Sequence, residues 1–154
     1  MRSIRVIVLA GIGVILGLGA QAAEKKISRS DLPPAVEKTV AAQSAGAIVR
    51  GFSQELEDGR TFYEAELSVD GHSKDILMDS GGAIVEVEEE VSLASLPAAV
   101  QEGLKAAAGA GKIGKVESLT KRGRLVAYEA RVSTEGKKSE VQVGPDGNRL
   151  NHKE

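Results

Sequence analysis

The chain has no cysteine and no tryptophan, and only two tyrosines and two phenylalanines in 154 residues. Without cysteine there is no disulfide framework, no lipobox attachment, no thiolate zinc site and no thiol catalysis or redox chemistry. A hydrophobic core must therefore hold the fold. Basic charge is also in deficit, with 20 Lys and Arg against 22 Asp and Glu. Nucleic-acid binders present a basic face interleaved with aromatics, so nucleic acid is excluded as a partner. Only His72 and His152 are available as imidazole bases.

Long apolar runs are missing too, with one exception at the start. Arg2 and Arg5 precede "VIVLAGIGVILGLGA", Val6 to Ala20, which carries no charge, and Ala20-Gln21-Ala22 forms a small-x-small site. This pattern reads as a signal peptide over 1–22, cut after Ala22. The run is shorter than the roughly 20 apolar residues that a spanning helix needs. Contact with a membrane is expected only through this segment if it is uncleaved. The expected location is periplasmic or secreted. Loss of Arg2 and Arg5 takes the formal net charge from −2 to −4.

What is present in quantity is an internal echo. Leu32-Pro33 and Ala35-Val36 return 64 positions later as Leu96-Pro97 and Ala99-Val100. After one inserted residue, Tyr63, Glu64, Ala65, Ser68, Gly71 and Gly82 match Tyr128, Glu129, Ala130, Ser133, Gly136 and Gly147 at a spacing of 65. Register kept on both sides of a single insertion points to a duplicated unit, residues 30–91 and 94–154.

Each copy opens with a helix signal: Asp31 and Ser95 as N-cap types before Leu-Pro, then Leu32, Val36, Val40 and Leu96, Val100, Leu104 at a spacing of four. Gly46, and Gly109 with Gly111, are the expected stops. The period then falls to two, punctuated by Asp58-Gly59, Asp70-Gly71, Gly81-Gly82, Arg122-Gly123, Glu135-Gly136 and Asp146-Gly147. The spacing predicts strands at 48–57, 61–69, 73–79 and 83–91, and again at 113–121, 125–134, 138–143 and 148–152. The expected fold is α+β: two tandem copies of a helix packed on a four-stranded antiparallel sheet, α-β-β-β-β, after the signal peptide. A unit of about 60 residues is marginal alone. The copies are therefore expected to support each other, joined edge to edge or packed together. Strand alternation turns Tyr63, Ala65, Leu67 and Tyr128, Ala130, Val132 toward the helix and Glu64, Glu66, Ser68 and Glu129, Arg131, Ser133 away from it.

Chemistry-bearing motifs are few. His72 falls in a hairpin and His152 in the tail, so neither reads as a catalytic base. "EVEEEV", Glu86 to Val91, lacks the convergent turn of a calcium loop and reads as a charged edge strand. "GAGKIGK", 109–115, leaves a helix and enters a strand, the reverse of a phosphate-binding loop. Asp79 and Asp146 read as turn formers. No catalytic residue, metal ligand or cofactor site is assigned. The candidate protein-binding surface is the helix-free strand face: Phe62, Glu64, Glu66, Glu129 and Arg131. Phe62 stands out because strand phase turns this aromatic outward.

"LPPAV" and "LPAAV" opening a helix, with "FYEAELSVDGHSKDILMDSGG" and "AYEARVSTEGKKSEVQVGPDGN" giving a Tyr-Glu strand, a glycine hairpin and a following strand, resemble tandem PepSY-like domains. These exported modules are related to the β-lactamase-inhibitor-like group. The resemblance spans nearly all of the chain after the signal segment. It implies a helix on a four-stranded sheet per copy, no catalytic residues, and a role in inhibiting or restraining another exported protein such as a peptidase. Lack of Cys and Trp separates the chain from secreted β-lactamase inhibitors, which use disulfides and an aromatic-rich concave sheet. An envelope sensor of a small ligand or cation is the alternative expectation.

Overall fold

A computed structural model describes residues 24–154. The expected signal peptide, 1–22, lies outside the described residues. The elements in chain order are β1 (Lys25–Ile27), α1 (Pro34–Gln43), β2 (Ile48–Glu57), β3 (Arg60–Val69), β4 (His72–Asp79), β5 (Ile84–Glu90), α2 (Ala98–Ala108), β6 (Lys112–Lys121), β7 (Arg124–Thr134) and β8 (Lys137–Val143). Short 3₁₀ turns at Arg29–Asp31 and Leu93–Ser95 precede the two helices.

The strands form one antiparallel sheet in the order β1 to β8. This corrects the expected two copies of a helix on a four-stranded sheet. The two halves share a single sheet because β5 pairs with β6, Glu86 opposite Lys121 through to Glu90 opposite Glu117. "EVEEEV" is consequently an interior strand, paired to β4 on its other side. An unpaired row of N–H and C=O groups on either strand would template aggregation, and mutual pairing satisfies both rows at once. The second half also has three strands, not four. Only Arg149 pairs as an isolated bridge to Val143, after a tight turn in which Gly144 N–H donates to Asn148 O at 2.8 Å. Strand β1, which has no strong periodicity, covers β2 at Phe52–Gln54.

The helices begin later than the sequence suggests, at Pro34 and Ala98, with prolines 33 and 97 as the capping residues and no side-chain cap. Asp31 and Ser95 close the preceding 3₁₀ turns instead. Asp31 Oδ2 accepts from Ser28 N–H at 2.9 Å, and Ser95 Oγ donates to Ser92 O at 2.7 Å. The apolar stripes behave as their spacing requires. Leu32, Val36 and Val40 join Phe52, Ala65, Leu67, Ile76 and Met78 in one core, and Leu96, Val100 and Leu104 join Val116, Ala130 and Val143 in a second. The strand register places all of these sheet residues on one face, so both helices lie on the same side.

Four two-residue hairpin turns have both residues at positive φ: Asp58-Gly59, Asp70-Gly71, Arg122-Gly123 and Glu135-Gly136. That mirror-image turn matches the strand twist and fixes register. Gly82 and Gly147 have a different task. A side chain on either would collide with the carbonyl of Ala35 or Ala99, so the loop after β4 and the loop after β8 press directly on a helix backbone.

Candidate functional site

With the helices on one side, alternation sends every second residue to the other. The register sets a carboxylate on each of six adjacent strands there: Glu64 and Glu66 on β3, Asp75 on β4, Glu86, Glu88 and Glu90 on β5, Glu117 on β6, Glu129 on β7 and Glu140 on β8. Several acids face each other directly: Glu66 with Asp75, Asp75 with Glu88, Glu90 with Glu117, and Glu117 with Glu129. Opposed like charges destabilise a sheet. Three acids of the face are buried, Glu86 and Glu117 at 5% exposed and Glu129 at 8%, and the others are partly buried.

Part of that charge is answered locally. Lys115 Nζ stands 2.5 Å from Glu117 Oε1, Arg131 reaches Glu117 at 3.9 Å, and Lys121 reaches Glu86 at 3.9 Å. Glu129 accepts from Gln142 Nε2 at 2.7 Å and pairs with Lys153 at 3.3 Å. Burial still holds the Glu129 carboxyl above its ordinary range, against the pull of Lys153. Arg131 Nε is buried without a hydrogen-bond partner.

Glu64 and Asp75 are less well served. Burial, reinforced by Glu55 and Asp75, pushes Glu64 up to about 7, although Ser53 Oγ donates to its Oε2 at 3.1 Å. Ser53 is itself fully buried. Asp75 is pushed up to about 6, chiefly by burial, with Lys115 opposing and Glu117 and Glu66 adding to the rise. Strongly perturbed carboxylates that reduce stability are a physical marker of a functional face.

The five expected surface residues are all on this side, in two groups. Phe62, Glu64 and Glu66 alternate along β3, and Glu129 and Arg131 sit on β7, with three strands between. Phe62 is half-buried, with the Arg60 guanidinium 5.9 Å from its ring centre. Sequence reasoning missed what lies between. Asp75, Glu88 and Glu117 bring carboxylate oxygens within 4.8 Å of one another from three strands. Only the β4–β5–β6 register assembles them; no local spacing announces it. Carboxylate oxygens so placed are the donor type that hard cations take. His72 is exposed, 3.8 Å from Glu90 Oε1, while Ser73 N–H donates to Glu90 Oε2 and holds that carboxyl low. Asp79 and Asp146 form turns as expected, accepting Gly81 N–H at 2.9 Å and Asn148 N–H at 3.0 Å.

No family model matches the chain, and no curated protein matches it. Solved structures do. A DUF2874 family protein from Bacteroides ovatus is 19% identical, covering 78% of this chain and 85% of its own, with a TM-score of 0.61. A BLIP-like protein from Bacteroides fragilis is 22% identical, covering 79% and 86%, with a TM-score of 0.57. A Bacteroides eggerthii protein described as periplasmic is 18% identical, covering 78% and 86%, with a TM-score of 0.64. What these proteins share with this chain is the fold. The periplasmic description accords with the exported location read from the leader. Among the described residues, no helix is long and apolar enough to cross a membrane.

Proposed function

We propose that this is an exported, non-catalytic binding protein of PepSY-like type, built from two copies of one unit over 30–91 and 94–154. Its helix-free sheet face docks another exported protein, inhibiting or restraining it, with a peptidase as one class of target. The observation that carries this reading is the band of carboxylates across six strands, in which burial holds Glu64, Asp75 and Glu129 above their ordinary range. The PepSY-like motifs, the leader and the BLIP-like fold support it. Capture from an envelope extract tests it, with Phe62, Glu64, Glu66, Glu129 and Arg131 changed to alanine in turn and together. The same protein should be recovered by the parent and lost with the variants; equal recovery removes this face from consideration.

The Asp75, Glu88 and Glu117 grouping favours one second reading, a cation-binding envelope protein. Lys115 and Arg131 already supply positive charge beside it. A ligand at 100 times its dissociation constant adds about 2.7 kcal/mol of stability. Melting temperatures unchanged across a divalent panel exclude this second reading. A small organic ligand is less well provided for: the cleft beside β8, between Ala107 and residues 149–153, holds about 280 Å³, below the range of about 300–1,000 Å³ usual for such sites.

A further inference from the structure

The segment after β8 forms a strap. After the bridge at Arg149, residues 150–154 turn round the β8 edge onto the helix-free face. There Lys153 Nζ lies 2.6 Å from Glu140 Oε2 and 3.3 Å from Glu129 Oε2. Glu154 N–H donates to Gln142 Oε1 at 2.8 Å, and its carboxylate meets Lys121 at 3.4 Å. Two carboxylates, one from each strand of the β7–β8 hairpin, thus share one lysine.

The β3–β4 hairpin builds the same cradle. Its turn, Asp70-Gly71, has the same positive-φ form as Glu135-Gly136. Glu64 and Glu129 stand at matching positions before the two turns, and Asp75 and Glu140 at matching positions after them. In both hairpins the first acid opposes a residue two beyond the second acid, Leu77 for Glu64 and Gln142 for Glu129. Among the described residues, no basic side chain forms an ion pair with Glu64 or Asp75. Glu64 faces Ser53 and Glu55 on β2, Asp75 on β4, and Glu24 before β1. Asp75 faces Glu66 on β3, Glu88 on β5, Glu117 and Lys115 on β6, and Arg131 on β7. The balance of charge there is negative.

We propose that the Glu64–Asp75 pair receives a lysine side chain from an extended basic segment of the bound protein, as the Glu129–Glu140 pair receives Lys153. The inference rests on the binding-protein reading above and names the chemistry of the partner. A lysine suits the site because its compact ammonium on a flexible stem can reach between two half-buried acids on neighbouring strands. Opposite charge brought within about 4–6 Å favours the ionised form of a carboxyl, so docking should expel protons from both groups.

The test uses the full chain and a blocked peptide copying its own last five residues, Leu-Asn-His-Lys-Glu, followed by carboxyl-carbon NMR. Saturating peptide should move the Glu64 and Asp75 resonances and lower their titration midpoints by about one pH unit or more. A peptide with norleucine in place of lysine should leave them unmoved. Glu64→Gln and Asp75→Asn should each weaken binding about tenfold, the effect of one unit of midpoint shift. Resonances that stay put, that respond equally to the norleucine peptide, or that move only at Glu129 and Glu140 overturn the proposal. So does a response to calcium that the lysine peptide fails to produce. Midpoints are read on the parent chain, so no variant need fold for the answer. If capture depends on the face while the peptide leaves Glu64 unmoved, this inference falls and the binding reading stands.

Discussion

Glu64 is the residue whose environment is most at odds with its charge. Its midpoint of about 7 and that of Asp75 near 6 lie above the values expected for an unfolded chain. Between about pH 4 and 7 the native state therefore holds more protons than the unfolded state, and stability falls as pH rises through that window. Above about pH 7 both groups are ionised and their part of the loss is complete. Glu64→Gln removes the larger share of it. At pH 8 the variant should be more stable than the parent by about 1–3 kcal/mol, with no gain at pH 4, as measured by urea titration at the two values. A gain of equal size at both pH values would show that something other than ionisation is being relieved. Alternation revealed that Glu64 points away from the helix. It did not reveal the depth of burial, because that depends on what β2, β4 and the segment before β1 place around it.

At the level of elements, glycines that look alike in the sequence do different work. Gly71 has open space around a would-be Cβ and needs only its positive φ, so Gly71→Ala should cost about 1 kcal/mol. Gly147 needs that φ and also touches the α2 backbone at Ala99, so Gly147→Ala should cost about 2–4 kcal/mol. Chemical denaturation of the pair checks the contrast, and equal costs would refute the close approach. In the second core, Leu104 is fully buried, and Leu104→Ala should lose about 2–5 kcal/mol by the same assay. Helix stripes, hairpin turns and strand phase were all legible, because each is a local pattern with a fixed period. Helix starts were misplaced because Leu-Pro-Pro and Leu-Pro-Ala read equally well as a first turn or as the extended link that the prolines impose at 33 and 97. The spacing at 148–152 reads as a fourth strand, whereas Pro145, which has no N–H to give a ladder, and the Gly144–Asn148 turn carry the chain off the sheet edge.

For the whole molecule, the decisive contact is the pairing of β5 with β6, which turns two halves into one sheet. A chain stopped at Ser92 keeps its own core but bares the β5 edge. It should self-associate on size-exclusion chromatography to a greater extent than the full chain. A well-behaved monomeric half would mean that the junction is dispensable. From the sequence, two marginal units are expected to support each other, but whether edges or faces meet stays open there, since hydrogen-bond partners between distant strands have no signature in either strand alone. The same blindness hid the carboxylate band, which exists only once six strands, β3 to β8, are in register. The account as a whole stands on that band as the docking face. Its most direct test is the affinity of the captured protein for three purified chains: the parent, one with Glu64, Glu66, Glu129 and Arg131 changed to alanine, and one with exposed helix-side Lys38, Glu102 and Lys105 changed to alanine. Binding should fall at least about 100-fold for the first set, about 2.7 kcal/mol, and stay within about twofold of the parent for the second. The reverse pattern, with the helix side mattering and the sheet side silent, would contradict it.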